Sequence, residues 1–285
     1  MITVHTYQEL QALLEPHYCS GESIGFVPTM GALHDGHASL IRKATEENDI
    51  RVVSIFVNPT QFGPNEDLDQ YPRTLAADQV LCEAAGATHI YAPSINDIYP
   101  EGRDTYELQF GLRTMDKILC GAKRPGHFDG VLQVVSKLFN IVRPHKAYFG
   151  KKDFQQLAIL ETLGRELFFP VEVIGCPIIR ETDGLAMSSR NRYLNPEERK
   201  QALFLSQTLA KVKAACEEGT PVEGLHAMVA EAMEAYPLIR LDYFDVRTAI
   251  GLKPIEKIHQ ADRPHAFMAA FCGATRLIDN LSLVK

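Results

Sequence analysis

Short runs rich in β-branched and aromatic residues alternate with helix-periodic stretches through the first 176 residues, a pattern that admits little besides a parallel sheet covered by helices. Residues 23–28, 51–57, 89–92, 146–149 and 171–175 read as buried strands. Residues 37–48, 75–85, 129–142 and 153–167 read as the helices between them, the first with Leu40, Ile41 and Ala44 on one stripe and the second stopping at Gly86. The pattern is that of a doubly wound α/β domain. After Cys176 and Pro177 the order changes, with helical stretches at 196–216 and 221–235 followed by strand-like runs at 241–246, 266–272 and 276–283. Helices followed by strands predict a second, smaller α+β domain with an antiparallel sheet, giving domains 1–176 and 177–285 packed closely around a cleft. Residues 58–72 form a polar, Pro- and Gly-rich stretch longer than a simple connector, and loops of that length are often functional.

Charge narrows the ligand class. The net charge of the 285 residues is −7, which lacks the global field of a nucleic-acid binder. Yet residues 113–152 hold nine Lys or Arg against two acids, a +7 island that leaves −14 on the other 245 residues. A basic island in an acidic chain suits a small anionic ligand. No apolar run approaches the ~18 residues that would span a bilayer, so no membrane partner is expected. The first Lys or Arg is Arg42, so a start at Met1 without a secretory or transit leader is expected. The six cysteines, at 19, 82, 120, 176, 216 and 272, show neither a C-x-x-C pair nor metal-ligand spacing, and read as reduced thiols of a cytoplasmic protein.

The most informative stretch is Pro28-Thr29-Met30-Gly31-Ala32-Leu33-His34-Asp35-Gly36-His37, set between a strand and a helix. Gly31 and Gly36 let backbone approach a ligand closely, and a helix start offers unpaired N–H groups and partial positive charge to phosphate. Two histidines at i and i+3 can donate hydrogen bonds to phosphate oxygens there. The competing readings are a metal pair, for which no third ligand is evident nearby, and a turn with incidental histidines. No metal site is assigned.

This stretch resembles the His-x-Gly-His signature of the nucleotidyltransferase superfamily that includes class I aminoacyl-tRNA synthetases. Met187-Ser188-Ser189-Arg190 resembles that superfamily's second, Lys-Met-Ser-Lys-Ser loop, with Leu185 and Ala186 in place of its first lysine. Asn58-Pro59-Thr60-Gln61-Phe62, Tyr71-Pro72-Arg73, Arg124-Pro125-Gly126-His127-Phe128 and Phe149-Gly150-Lys151-Lys152-Asp153-Phe154-Gln155-Gln156 complete an order of motifs similar to that of the pantothenate synthetases, over essentially the whole chain. One position departs: Lys151 stands where that family usually has Glu.

The resemblance implies a Rossmann-like sheet and an enzyme that condenses pantoate with β-alanine, using ATP and Mg²⁺, through pantoyl adenylate. It implies catalytic roles for His34, His37 and Lys152. It implies ATP contacts from Met30, Gly31, Ala32, Leu33, His34, Asp35, Gly36 and His37, from Gly150, Lys151, Lys152 and Asp153, and from Ile179, Met187, Ser188, Ser189 and Arg190. Gln61, Gln156, Asn58, Arg124 and His127 are implied around pantoate and β-alanine, although Arg124 and His127 can equally hold a loop in place. Asp78 is open between an outer Mg²⁺ ligand and a solvated helix face, and the family precedent is a homodimer. The alternatives are another adenylyl-transferring member of the superfamily or a nucleotide-sensing module without catalysis. A tRNA synthetase fits poorly, because nothing in the chain supplies an anticodon-binding region or a broad basic face.

Overall fold

The computed structural model describes residues 1–64, 66–102, 110–112, 114–259 and 262–284. Asn65 of the long loop and Arg113, the first residue of the basic island, lie outside the described residues. The chain groups into two compact units, one of Met1–Lys151 with Ile159–Pro177, the other of Lys152–Ala158 with Ile178–Lys285.

The first unit is built on β1 (Ile2–Val4), β2 (Ile24–Thr29), β3 (Ile50–Ile55), β4 (His89–Tyr91), β5 (Lys146–Gly150) and β6 (Glu172–Cys176), all parallel and ordered β1-β4-β3-β2-β5-β6. Its helices are α1 (Tyr7–Ser20), α2 (Asp35–Glu47), α3 (Leu75–Ala85), α4 (Ile95–Ile98), α5 (Leu119–Lys123), α6 (His127–Val142) and most of α7 (Phe154–Glu166), whose first turn groups with the second unit. From β2 the chain winds outward to β3 and β4, then returns to lay β5 against the other side of β2. The strand order therefore reverses between β2 and β5, and in doubly wound sheets ligands bind outside the carboxyl ends of strands at such a switch point. The stretch that carries His34 and His37 leaves the sheet there.

Burial explains why these segments hold their form. Ala38, Leu40, Ile41 and Ala44 line one face of α2 and pack with Val27, Val53 and Ile90 of the sheet. The α3 helix ends where Gly86 takes φ +96°, its N–H reaching the carbonyls of Cys82 and Glu83, and a Cβ there would stand 2.8 Å from Thr45 Oγ1. Close helix–helix approach and a left-handed turn both demand glycine at that point.

The second unit carries α8 (Pro196–Ala202), α9 (Phe204–Glu217) and α10 (Val222–Met233), then the antiparallel meander β7 (Ile239–Thr248), β8 (Pro264–Cys272) and β9 (Thr275–Ser282). Phe204, Leu205, Leu209 and Val212 of α9 share a core with Val246, Ala266, Met268 and Leu277 of the sheet. The helical stretch expected at 196–216 divides at Leu203. Ala202 ends α8 and Phe204 starts α9, and both are fully buried. Residues 1–20, to which the sequence reading assigns no element, form the edge strand β1 and the amphipathic α1. No described helix is long and apolar enough to cross a membrane.

Candidate active site

In the first unit the turn after β2 is held from below. Gly31 (φ +79°) and Ala32 (φ +50°) both take left-handed backbone, and a Cβ at Gly31 would meet Asp78 Oδ2 and Ile55 Cγ2 at 3.1 Å. The Asp78 carboxylate, only 2% exposed, accepts from the N–H of Ala32 at 3.0 Å and of Leu33 at 2.8 Å, and from the Thr74 hydroxyl at 3.2 Å. Charge-assisted bonds of this kind offset the cost of holding a non-glycine residue at positive φ. The solvated helix face is excluded: Asp78 is buried, and both of its oxygens accept from the turn.

The start of α2 is also closed on itself, which corrects a second expectation. His34 is the N-cap, its Nδ1 accepting from the Gly36 N–H at 3.1 Å, while the His34 N–H donates to His37 Nδ1 at 3.3 Å. The N–H groups of His37 and Ala38 both reach the His34 carbonyl. Several of the N–H groups expected to await phosphate are thus satisfied within the cap. The same bonds sharpen the role of the rings. With Nδ1 accepting on both, each neutral imidazole carries its proton on Nε2, so a pair of N–H donors is set side by side with ring centroids 4.1 Å apart.

The loop after β3 forms a second cluster in the same unit. Asn58, 1% exposed, accepts at Oδ1 from the Tyr99 hydroxyl (2.8 Å) and the Thr60 hydroxyl (3.1 Å), while its Nδ2 donates to Gln61 Oε1 (3.2 Å) and the Gly130 carbonyl (3.1 Å). Gln61 Nε2 reaches Met30 Sδ at 2.8 Å. Thus an amide with its orientation fixed by Asn58 touches the turn that leads to His34. Arg124 forms a two-pronged pair with Glu66 and bonds to the Gln61 carbonyl and to His127 Nε2, and His127 Nδ1 donates to the same carbonyl at 2.8 Å. Burial pushes the Glu66 carboxyl up, but the hydrogen bonds and charge of Arg124, with His127 adding to them, outweigh it and hold Glu66 below the usual range. In this arrangement Arg124 and His127 hold the Gln61 loop.

Gly130 makes this possible. A Cβ on it would lie 2.3 Å from the Thr60 carbonyl oxygen and 2.7 Å from the Gln61 nitrogen, so only glycine lets α6 touch the loop. Gly130→Ala is expected to cost about 1–3 kcal/mol through overpacking, read as a lower melting temperature. Unchanged melting would show that the contact is unimportant.

The second unit holds most of the remaining candidates. Met187 N–H bonds to the Ile179 carbonyl at 3.0 Å, closing a hairpin whose turn includes Gly184 at φ +95°. Ser188 then caps a short 3-10 helix, Ser189–Tyr193, its hydroxyl accepting from the Arg190 N–H at 3.3 Å. Asn191 Nδ2 ties that helix to the Ala186 carbonyl and Glu181, and Arg199 binds Glu181 and Asp183. The loop is therefore a braced hairpin rather than a loose connector. Lys152 and Asp153 follow β5, with Lys152 Nζ 3.7 Å from Asp153, and Gln156 lies half-buried in the first turn of α7. Gly150 and Lys151 group with the first unit.

Paired imidazole donors at a topological switch point, next to an amide anchored on the same turn, are the equipment of a Rossmann-like α/β enzyme that handles anionic groups. A family model described as pantoate-beta-alanine ligase matches residues 2–282. The chain belongs to that family. Curated relatives named pantothenate synthetase include those of Bacteroides fragilis, 50% identical over 99% of this chain and 98% of that one, and Fervidobacterium nodosum, 49% identical over 99% of both. Among solved structures, pantothenate synthetase from Thermus thermophilus superposes with TM-score 0.93 at 43% identity over the whole of both chains. Pantoate-beta-alanine ligase from Francisella tularensis, complexed with beta-gamma ATP and beta-alanine, gives 0.82 at 34% identity over 99% of this chain and 98% of that one. The chain is an enzyme, a ligase that joins pantoate to β-alanine as pantothenate.

Proposed function

We propose that the condensation runs on ATP through pantoyl adenylate. A pantoate carboxylate oxygen attacks the α-phosphorus, the bond to the β-phosphate breaks and pyrophosphate leaves. The β-alanine amine then attacks the acyl carbon and AMP departs. The observation that carries this reading is the 2.8 Å contact between Gln61 Nε2 and Met30 Sδ, because it joins the residue assigned to pantoate to the turn assigned to ATP. A carboxylate must be brought against a phosphate of the same sign, and positioning plus fixed N–H donors is what lowers that barrier.

In this reading His34 and His37 donate from Nε2 to phosphate oxygens, and His37 stabilises the charge on the α-phosphate rather than delivering a proton. Lys152 and Arg190 neutralise the triphosphate, with Ser188 and Ser189 adding hydroxyl donors as pyrophosphate forms. Gln61 and Gln156 bind pantoate and admit β-alanine, with Asn58, buried and fully hydrogen-bonded within the protein, orienting Gln61 rather than touching substrate, and Arg124 and His127 fixing the Gln61 loop at the border of that subsite. The backbone of Gly150, Lys151, Asp153, Ile179 and Met187 borders the nucleotide, and Lys151 brings a cation where relatives usually carry an acid. Mg²⁺ enters as part of the nucleotide substrate. This small, reluctantly dehydrated ion is held chiefly by phosphate oxygens and water. The assignment further comprises a nucleotide- and pantoate-binding domain over 1–176, a smaller domain over 177–285, a homodimer and a cytoplasmic setting.

Incubating the protein with ATP, Mg²⁺, pantoate and β-alanine is expected to yield AMP and pantothenate in equal amounts. Without β-alanine, ATP–pyrophosphate exchange should still require pantoate. AMP release that ignores pantoate, or no AMP under any condition, would sink the proposal.

A further inference from the structure

The loop that carries Lys152 is anchored by a part of the chain more than a hundred residues away. Asn280, in β9 and 3% exposed, donates from Nδ2 to the Lys152 carbonyl at 2.8 Å. Its Oδ1 stands 2.8 Å from His265 Nε2, on the paired strand β8, and since an amide oxygen only accepts, that nitrogen carries the proton. The neutral peptide amide of Asn280 is likewise tied down, its N–H donating to Asp279 Oδ1 at 2.8 Å, and Asp279 in turn makes a two-pronged pair with Arg180 at 2.7 and 3.0 Å. Phe154, two residues beyond Lys152, stacks on the His265 ring at 4.1 Å and meets Phe267 edge-on at 5.6 Å. Both ends of the short segment are therefore clamped to the meander, one by a buried hydrogen bond and the other by an aromatic stack.

We infer that Asn280 is a positioning residue for Lys152: by fixing the peptide plane at the Lys152 carbonyl, with His265 holding the amide in the donating orientation, it sets where the ammonium stands relative to the transferring phosphate. A lysine side chain has four flexible bonds and much rotamer freedom, so its charge is delivered reliably only if its backbone origin does not move. The inference rests on the proposal that Lys152 contacts phosphate. It assigns a catalytic consequence to two residues of the C-terminal sheet that need not touch substrate.

A double-mutant cycle on the full-length enzyme tests it, with pantoate-dependent ATP–pyrophosphate exchange as the readout. Asn280→Ala is expected to lower kcat for exchange by about tenfold or more, the scale of a displaced positioning group, with KM for pantoate unchanged. Lys152→Ala should lower it further, and adding Asn280→Ala to Lys152→Ala should then cost nothing more, because a residue that acts only through Lys152 has nothing left to position. Equal losses in the presence and absence of Lys152, or an unaltered kcat in Asn280→Ala, would overturn the inference while leaving the role of Lys152 standing. Full exchange activity in Lys152→Ala would remove both. Should Asn280→Ala fail to fold, Asn280→Asp keeps the volume and the acceptor for His265 while deleting the donor to Lys152, and the same cycle is read with it.

Discussion

Replacing His37 with alanine is expected to lower ATP-dependent pantothenate formation by about 10²–10³-fold, the usual loss when one preorganised donor to developing negative charge is removed. The side chain has two jobs that can be separated. Its Nδ1 accepts from the His34 N–H and helps close the α2 cap, while its Nε2–H is the donor assigned to phosphate. Loss of the first is worth about 0.5–2 kcal/mol of stability, or a few degrees in melting temperature at about 2–4 °C per kcal/mol. His37→Asn retains an oxygen that can accept from His34 and should recover much of the melting temperature while remaining as slow as His37→Ala. Activity within a few-fold of the parent in either variant would remove His37 from the chemistry. Steady-state rates and thermal melts on the same preparations decide it.

The second large effect is expected at Asp78, which braces the turn after β2. Asp78→Ala leaves the buried N–H of Ala32 without its acceptor, at roughly 1–3 kcal/mol, deprives the half-buried N–H of Leu33 of its partner at a smaller cost, and releases Ala32 from its left-handed conformation. The turn that presents His34 and Met30 should then relax, so activity and stability fall together. Asp78→Asn is the stricter test, because it is nearly isosteric. One of its terminal atoms is an NH₂ group facing a backbone donor, so it should lose a large part of the stability measured in denaturant. If Asp78 served Mg²⁺ instead, Asp78→Asn would raise the Mg²⁺ concentration needed for half-maximal rate and leave the unfolding midpoint in place.

Local periodicity makes most of the sheet and its covering helices legible, since Leu40, Ile41 and Ala44 or the stop at Gly86 are decided within one turn of chain. The N-terminal helix carries local signals that are just as strong. Thr6 and Glu9 form a reciprocal capping box, Leu10 and Leu14 are its buried stripe and Gly21 its left-handed end, but Pro16 within the run argues against a helix. The chemical groups of the site are legible for a different reason: His34, His37, Gln61 and Lys152 stand inside short motifs. What holds them is not. Asp78 meets its turn across 45 residues, Gly130 meets Thr60 across 70, and Asn280 meets Lys152 across 128. No spacing in one sequence encodes such contacts, because they exist only after the sheet has closed. The start of α2 is a different case: its closing bonds span only two and three residues, but a histidine ring is not among the usual capping side chains, so the sequence reads as open to phosphate.

The path of the chain also limits how the molecule can be divided. Lys152–Ala158 belongs structurally with Ile178–Lys285, although a run of nineteen residues belonging to the other unit, Ile159–Pro177, intervenes. A fragment cut to begin at Ile178 would present His265 and Phe267 without the ring of Phe154 and Asn280 without the carbonyl of Lys152. The complementary fragment would carry that apolar, hydrogen-bonding segment with no sheet to receive it. A division at residue 177 therefore does not give exchangeable modules: grafting either fragment onto a foreign partner breaks a contact set that spans the cut.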